Sequence, residues 1–209
     1  MRLVRAAILA GVLAVLQGCA VLGGSTPPDL YHLTAPNRFA ADLPDVRWQL
    51  LVDIPTAPAG IDTSMIAVGQ SGGKISYFAN SNWADRAPVM LQSLIVEALE
   101  NSHRIMSVGR DAVGLRADYV LMTELRQFEA DYGGAPPKSS AARVHVRMSA
   151  KLVRMPGRAI VAAESFAADA PAAGSSFGDV VTAFDEATGD ILTRLAEWVL
   201  RAGQQATGT

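Results

Sequence analysis

The stretch "IAVGQSGGKISYF", Ile66 to Phe78, decides between two folds. Its Gly69-Gln70-Ser71-Gly72-Gly73 fits G-x-S-x-G, the pattern of a hydrolase nucleophile elbow. An elbow needs a helix directly after the turn, because the helix N-terminus lies beside the oxyanion hole. Here Lys74-Ile75-Ser76-Tyr77-Phe78-Ala79 follows, with Ile75, Tyr77 and Ala79 alternating onto one side. That is a strand, and Gly72-Gly73 supply the positive φ that hairpin turns require. Ser71 therefore falls in a hairpin turn. A periplasmic serine hydrolase using Ser71 is the weaker reading, since nothing marks His32, His103 or His145 as its base.

The same stretch does not make a phosphate loop. Val68 and Ile75 stand where G-x-x-x-x-G-K-[ST] requires glycine and a hydroxyl residue. The chain has no H-E-x-x-H, no Cys pair and no close His pair. No catalytic residue, metal site or cofactor is expected. A formal charge of -2, with Lys and Arg scattered, argues against nucleic acid as a partner.

Around the hairpin the chain reads as strands, helix, strands, helix. Further strands are expected at Leu30–Thr34, Trp48–Ile54, Ile105–Val108, Tyr119–Glu129, Arg143–Arg154 and Ala159–Ala167. Across Arg143–Arg154, Val144, Val146, Met148, Ala150 and Leu152 face one way. A helix over Ala87–Asn101 carries Leu91, Leu94, Ile95, Ala98 and Leu99 as its apolar stripe, with Gln92 off it. A second helix, from about Phe177 to Arg201, starts at a capping-box pattern, Ser176 with Asp179. Its apolar face is expected through Val181, Phe184, Thr188, Ile191, Leu195 and Trp198. The fold class is a mixed α/β single domain over residues 30–202: a mixed, largely antiparallel sheet packed against two main helices. Residues 203–209 are expected to be a disordered tail.

The N-terminus lies outside this domain. Arg2 and Arg5 precede the apolar run Ala6–Leu16, which is a signal-peptide pattern. The run is shorter than the roughly 20 apolar residues a spanning helix needs. Leu16-Gln17-Gly18-Cys19 resembles a bacterial lipobox, with Gln17 a departure from its usual small or aliphatic residue. Cys19 is the one cysteine, and lipidation explains an unpaired thiol in an exported chain. Residues 1–18 read as signal peptide and 19–29 as lipidated cysteine plus flexible linker. Ala20, rather than Asp, points to the periplasmic face of the outer membrane.

"ISYFANSNWADRAPVMLQSLIVEALENS", Ile75 to Ser102, resembles the ABC-type transport auxiliary lipoprotein family, which includes lipoprotein subunits of paraquat-inducible and other Mce-type lipid transport systems. Tyr77, Trp83-Ala84-Asp85, Pro88 and the leucine-rich helix carry the resemblance. "LYHLTAP" (Leu30–Pro36) and "YVLMTELRQFEAD" (Tyr119–Asp131) extend it. It implies a non-enzymatic docking subunit. Its partners would be an Mce-domain protein and an ABC permease–ATPase complex, and a homo-oligomer would be compatible with that role. Trp83, Asp85 and Arg86 are the candidate partner-binding residues, on a surface running from Gln70–Gly73 to Asn80–Arg86. Trp83 has an equal claim to be a core aromatic. A structural or outer-membrane-assembly lipoprotein is the alternative function.

Overall fold

The computed structural model describes residues 27–110, 116–134 and 140–207. The signal segment and Cys19 lie outside the described residues. Eight strands form one sheet: β1 (Asp29–Tyr31), β2 (Val46–Val52), β3 (Met65–Gln70), β4 (Lys74–Trp83), β5 (Ile105–Arg110), β6 (Tyr119–Asp131), β7 (Arg143–Arg154) and β8 (Ala159–Pro171). The helices are α1 (Ala87–Asn101) and α2 (Phe177–Thr207). This is the expected mixed α/β domain.

β6 organises the sheet. β7 pairs along its whole length, from Tyr119↔Arg154 to Asp131↔Arg143. The other edge of β6 is shared. β2 takes one end, Leu50↔Tyr119 to Val52↔Leu121, and β3 takes the other, Ala67↔Glu129 to Gly69↔Asp131. Thr56 bridges Glu124 between them. The sheet is therefore forked, with β5 beyond β2, and β4 then β1 beyond β3.

The expectation of largely antiparallel pairing holds for the long ladders, β6–β7 and β7–β8, and for the β3–β4 hairpin. The four remaining pairs, β1–β4, β2–β5, β2–β6 and β3–β6, are parallel. Parallel neighbours need crossover connections. The path from β2 to β5 runs through the β3–β4 hairpin and α1, and supplies one.

Both helices touch each other and share one face of the sheet, α1 against β5 and β2, α2 against β7 and β8. The alternation of β7 is realised: Val144, Val146, Met148, Ala150 and Leu152 are all buried. On α2 the apolar face runs through Val180 rather than Val181, which is half-buried. Trp198 is also only partly covered, against the edge of Phe166 at 6.0 Å. The capping box forms reciprocally. Asp179 N donates to Ser176 Oγ at 3.2 Å, and Ser176 N donates to Asp179 Oδ2 at 3.1 Å.

The tail expected beyond Ala202 is helical through Thr207. Gly203 lies against the indole of Trp48, so close that a Cβ would overlap its ring carbons. Tyr119 Oη donates to Gly203 O at 3.4 Å, and Arg154 Nη2 donates to Ala206 O. These contacts hold the last turn on the sheet, which explains why a polar sequence stays helical there.

Candidate docking surface

The hairpin reading of Ile66–Phe78 is what the backbone shows. Ser71–Gly73 form a single 3-10 turn between β3 and β4, with φ of 78° at Gly72 and 77° at Gly73. The element after the turn is a strand, so the strand-to-helix geometry of a nucleophile elbow is absent here.

β4 pairs with β3 unevenly. Met65 opposes Asn82 and Ala67 opposes Tyr77, so five steps of β4 face two of β3. The extra residues bulge out at Phe78–Ser81, with Asn80 at φ 55°. Phe78 turns onto Phe177 and Tyr132, at ring distances of 4.8 and 6.4 Å. Burial pushes the Tyr132 phenol above its ordinary range.

The strand ends at a corner fixed mainly by backbone hydrogen bonds. Trp83 N donates to Ser64 O at 2.7 Å, Ala84 N to Tyr31 O at 2.7 Å, and Ala87 N to Thr63 O at 3.0 Å. Trp83 is 1% exposed. Its ring lies 5.1 Å from Phe184, nearly perpendicular, and 5.5 Å from Phe128. It belongs to the core and presents no surface to a partner, which corrects its candidacy as a contact residue. The reason is the bulge, which turns the end of β4 so that Ser81 and Trp83 both point inward.

Asp85 and Arg86 are exposed. Asp85 Oδ1 accepts from Arg86 N at 2.8 Å. Arg86 is the N-cap residue of α1, and its guanidinium pairs with Asp62. Pro88 sits in the first turn of α1, where its missing N–H costs nothing. The structure thus separates the three candidates: Trp83 anchors the corner from inside, and Asp85 and Arg86 stand outside it. The turn at Ser71–Gly73 is at the opposite end of the hairpin. Five β3 steps separate the two sites, about 17 Å.

A second polar cluster was not legible beforehand. On the sheet face away from the helices, Asp169 receives His145 Nδ1 at 2.7 Å, and Arg147 Nη1 and Nη2 at 3.1 and 3.3 Å. These hydrogen bonds, from His145 and then Arg147, hold the Asp169 carboxyl below the usual range. Glu124 is lowered likewise, by Arg126 and then Ser149. Register alone brings His145 opposite Asp169, which sequence spacing does not reveal. Among the described residues no group of three or more His, Cys, Asp and Glu is placed to hold a metal ion.

A buried Trp corner leading into an amphipathic helix, next to the strand Tyr119–Asp131, is the arrangement that the sequence resemblance rests on. The model of the ABC-type transport auxiliary lipoprotein component family matches residues 31–196. The chain belongs to this family. Over 201 residues this auxiliary lipoprotein is 27% identical to an uncharacterised protein of Bradyrhizobium diazoefficiens, covering 93% of this chain and 51% of the relative. The chain therefore spans about half the length of that curated relative. A crystal structure of a Xanthomonas campestris protein superposes with a TM-score of 0.79 at 31% identity, covering 87% of this chain and 99% of that one. Another crystal structure, at 14% identity, TM-score 0.60 and coverages of 82% and 97%, shares the fold. No helix among the described residues of the auxiliary lipoprotein is long and apolar enough to cross a membrane.

Proposed function

We propose that the protein is a non-enzymatic docking subunit of an ABC-type lipid transport system of the Mce type, anchored through Cys19 at the periplasmic face of the outer membrane. Family membership supports the transport role, and the lipobox and Ala20 support the anchor and its membrane. The Mce-domain protein is the partner that must approach, because the ten residues from Ala20 to Asp29 reach at most about 35 Å.

The observation that carries the docking assignment is the corner itself. Trp83 fixes the backbone from the core, and Asp85 and Arg86 project from it as an exposed, positioned pair. Arginine makes paired hydrogen bonds and is enriched in interfaces. The Ser71–Gly73 turn, about 17 Å away along β3, belongs to the same contact only for a partner that spans the hairpin.

Pull-down of the Mce partner by wild type and by Arg86→Glu tests this. Weakened capture with unchanged melting supports the corner. Unchanged capture for both Arg86→Glu and a chain with a lengthened 20–29 linker overturns it. Labelling of the wild type, but not of Ser71→Ala, by a fluorophosphonate probe would overturn the non-enzymatic reading.

A further inference from the structure

The sheet face opposite the helices changes character at the fork. On β6 and β7 it is mostly charged, with Arg126, His145, Arg147 and Lys151, and Met122, 40% exposed, is the large apolar side chain among them. On β1, β4 and β3 the exposed side chains of this face are mostly apolar, Asn82 apart. The registers Leu30↔Asn82 and Asn82↔Met65 put Leu30 and Met65 in one cross-strand row. Tyr77 opposes Ala67, and Ile75 opposes Gly69. Met65, Ala67 and Gly69 share one face of β3, and cross-strand partners share that face too. Leu30, Met65, Tyr77 and Ile75 therefore lie along one stripe of this face, 64%, 41%, 37% and 40% exposed, with Asn82 between Leu30 and Met65 and with Ala67, opposite Tyr77, buried. Ile66 and Val68, on the opposite face of β3, are buried. The segment 58–61 lies against the Tyr77–Ile75 end of the stripe, where Tyr77 Oη donates to Gly60 O at 3.1 Å and a Cβ at Gly60 would stand 3.0 Å from Ile75 Cδ1, and leaves these two side chains 37% and 40% exposed.

We propose that this stripe rests on the surface of the bilayer that holds the lipid anchor. The inference depends on anchoring through Cys19. The linker fixes the occupant: Leu30, the most exposed large apolar side chain described, is the residue directly after it. The linker reaches at most about 35 Å, and the stripe extends only about 13 Å farther along β3. Every point of the stripe therefore stays within about 48 Å of the anchored residue, and Leu30 within about 35 Å. Tyr77 suits that position, with an apolar ring and a hydroxyl at headgroup depth. The contact is shallow and involves strand side chains. Arg86 stays available at the rim, where the chain leaves the sheet for α1.

The test uses the full acylated chain in vesicles of phosphatidylethanolamine and phosphatidylglycerol doped with a diazirine-bearing phospholipid. Photolysis should label the peptides carrying Leu30, Met65, Ile75 and Tyr77, and spare residues 143–151. Met65→Ser with Ile75→Ser should keep the melting temperature and the vesicle association, and cut labelling of the Leu30 and Tyr77 peptides several-fold. An acylated, vesicle-bound chain labelled on β7, or unlabelled on the stripe, overturns the proposal alone. A chain that does not associate, with the mass of its N-terminal peptide showing a free Cys19 thiol, overturns the anchor and the proposal together.

Discussion

Trp83 and Arg86 stand three residues apart and have opposite environments. The Trp83 ring is enclosed by Phe128 and Phe184, whereas the Arg86 side chain is 55% exposed beside Asp62. Trp83→Ala should cost roughly 3–5 kcal/mol in urea unfolding, the usual range for emptying a buried aromatic site. Arg86→Glu removes one exposed ion pair, so its stability change should stay within about 1 kcal/mol. Asp169 is testable by pH. Its carboxyl is lowered in the fold, so its stabilising contribution is present above the ordinary carboxylate range and is lost as pH falls through the lowered value. Melting followed below about pH 4 should show that loss in the wild type, and Asp169→Asn should flatten it. Sequence left Trp83 with equal claims to a partner surface and to the core, and only its 1% exposure separates them. The burial of Gln92 was not legible. It sits off the leucine stripe in sequence, yet it is buried, and its Nε2 donates to Val52 O at 2.8 Å where β2 ends. No local pattern announces a carbonyl that waits forty residues away.

Helix α2 shows what local sequence can and cannot specify. The Ser176–Asp179 box was readable because both partners lie within one turn, and Asp179→Ala should cost about 1 kcal/mol through the lost cap. Two glycines in this helix look alike in sequence and should behave oppositely. At Gly189 nothing lies within 4 Å of an added Cβ, so Gly189→Ala should stabilise by about 1 kcal/mol. At Gly203 the added carbon would overlap Trp48, so Gly203→Ala should lower the melting temperature. Helix propensity gives both substitutions the same sign, and only packing separates them. The same packing explains why Gly203–Thr207 is helix, where composition alone suggested a tail.

At the scale of the molecule, the helices and the long antiparallel ladders were visible because alternation and helical periodicity are local. The fork was not. Whether β2 or β3 pairs with β6 depends on which part of one edge each reaches, and nothing within either strand encodes that. A mixed sheet was expected, but which strands pair in parallel was not readable for the same reason, because connections much longer than a turn join them. Anchoring is decided at this scale too. Cys19→Ser should leave the chain unacylated and its signal uncleaved at that site, and the mass of the native N-terminus will show it. Ala20→Asp should move the protein from outer-membrane to inner-membrane fractions.

β1 is three residues long, and it is where the linker enters the sheet. If a docked partner pulls on the domain against its lipid anchor, the load enters at Asp29 and meets this short parallel pairing with β4 first. Peeling β1 away would release Asp29–Tyr31 and leave the aromatic cluster around Trp83 untouched. The bond from Ala84 N to Tyr31 O lies one residue beyond Trp83, so tension between the anchor and a partner held at Arg86 would pass across the corner and largely bypass the core. In a force-clamp experiment with one handle at the N-terminus and one at residue 86, the first extension step should be short and reversible, about the length of those three residues, well before the domain gives way.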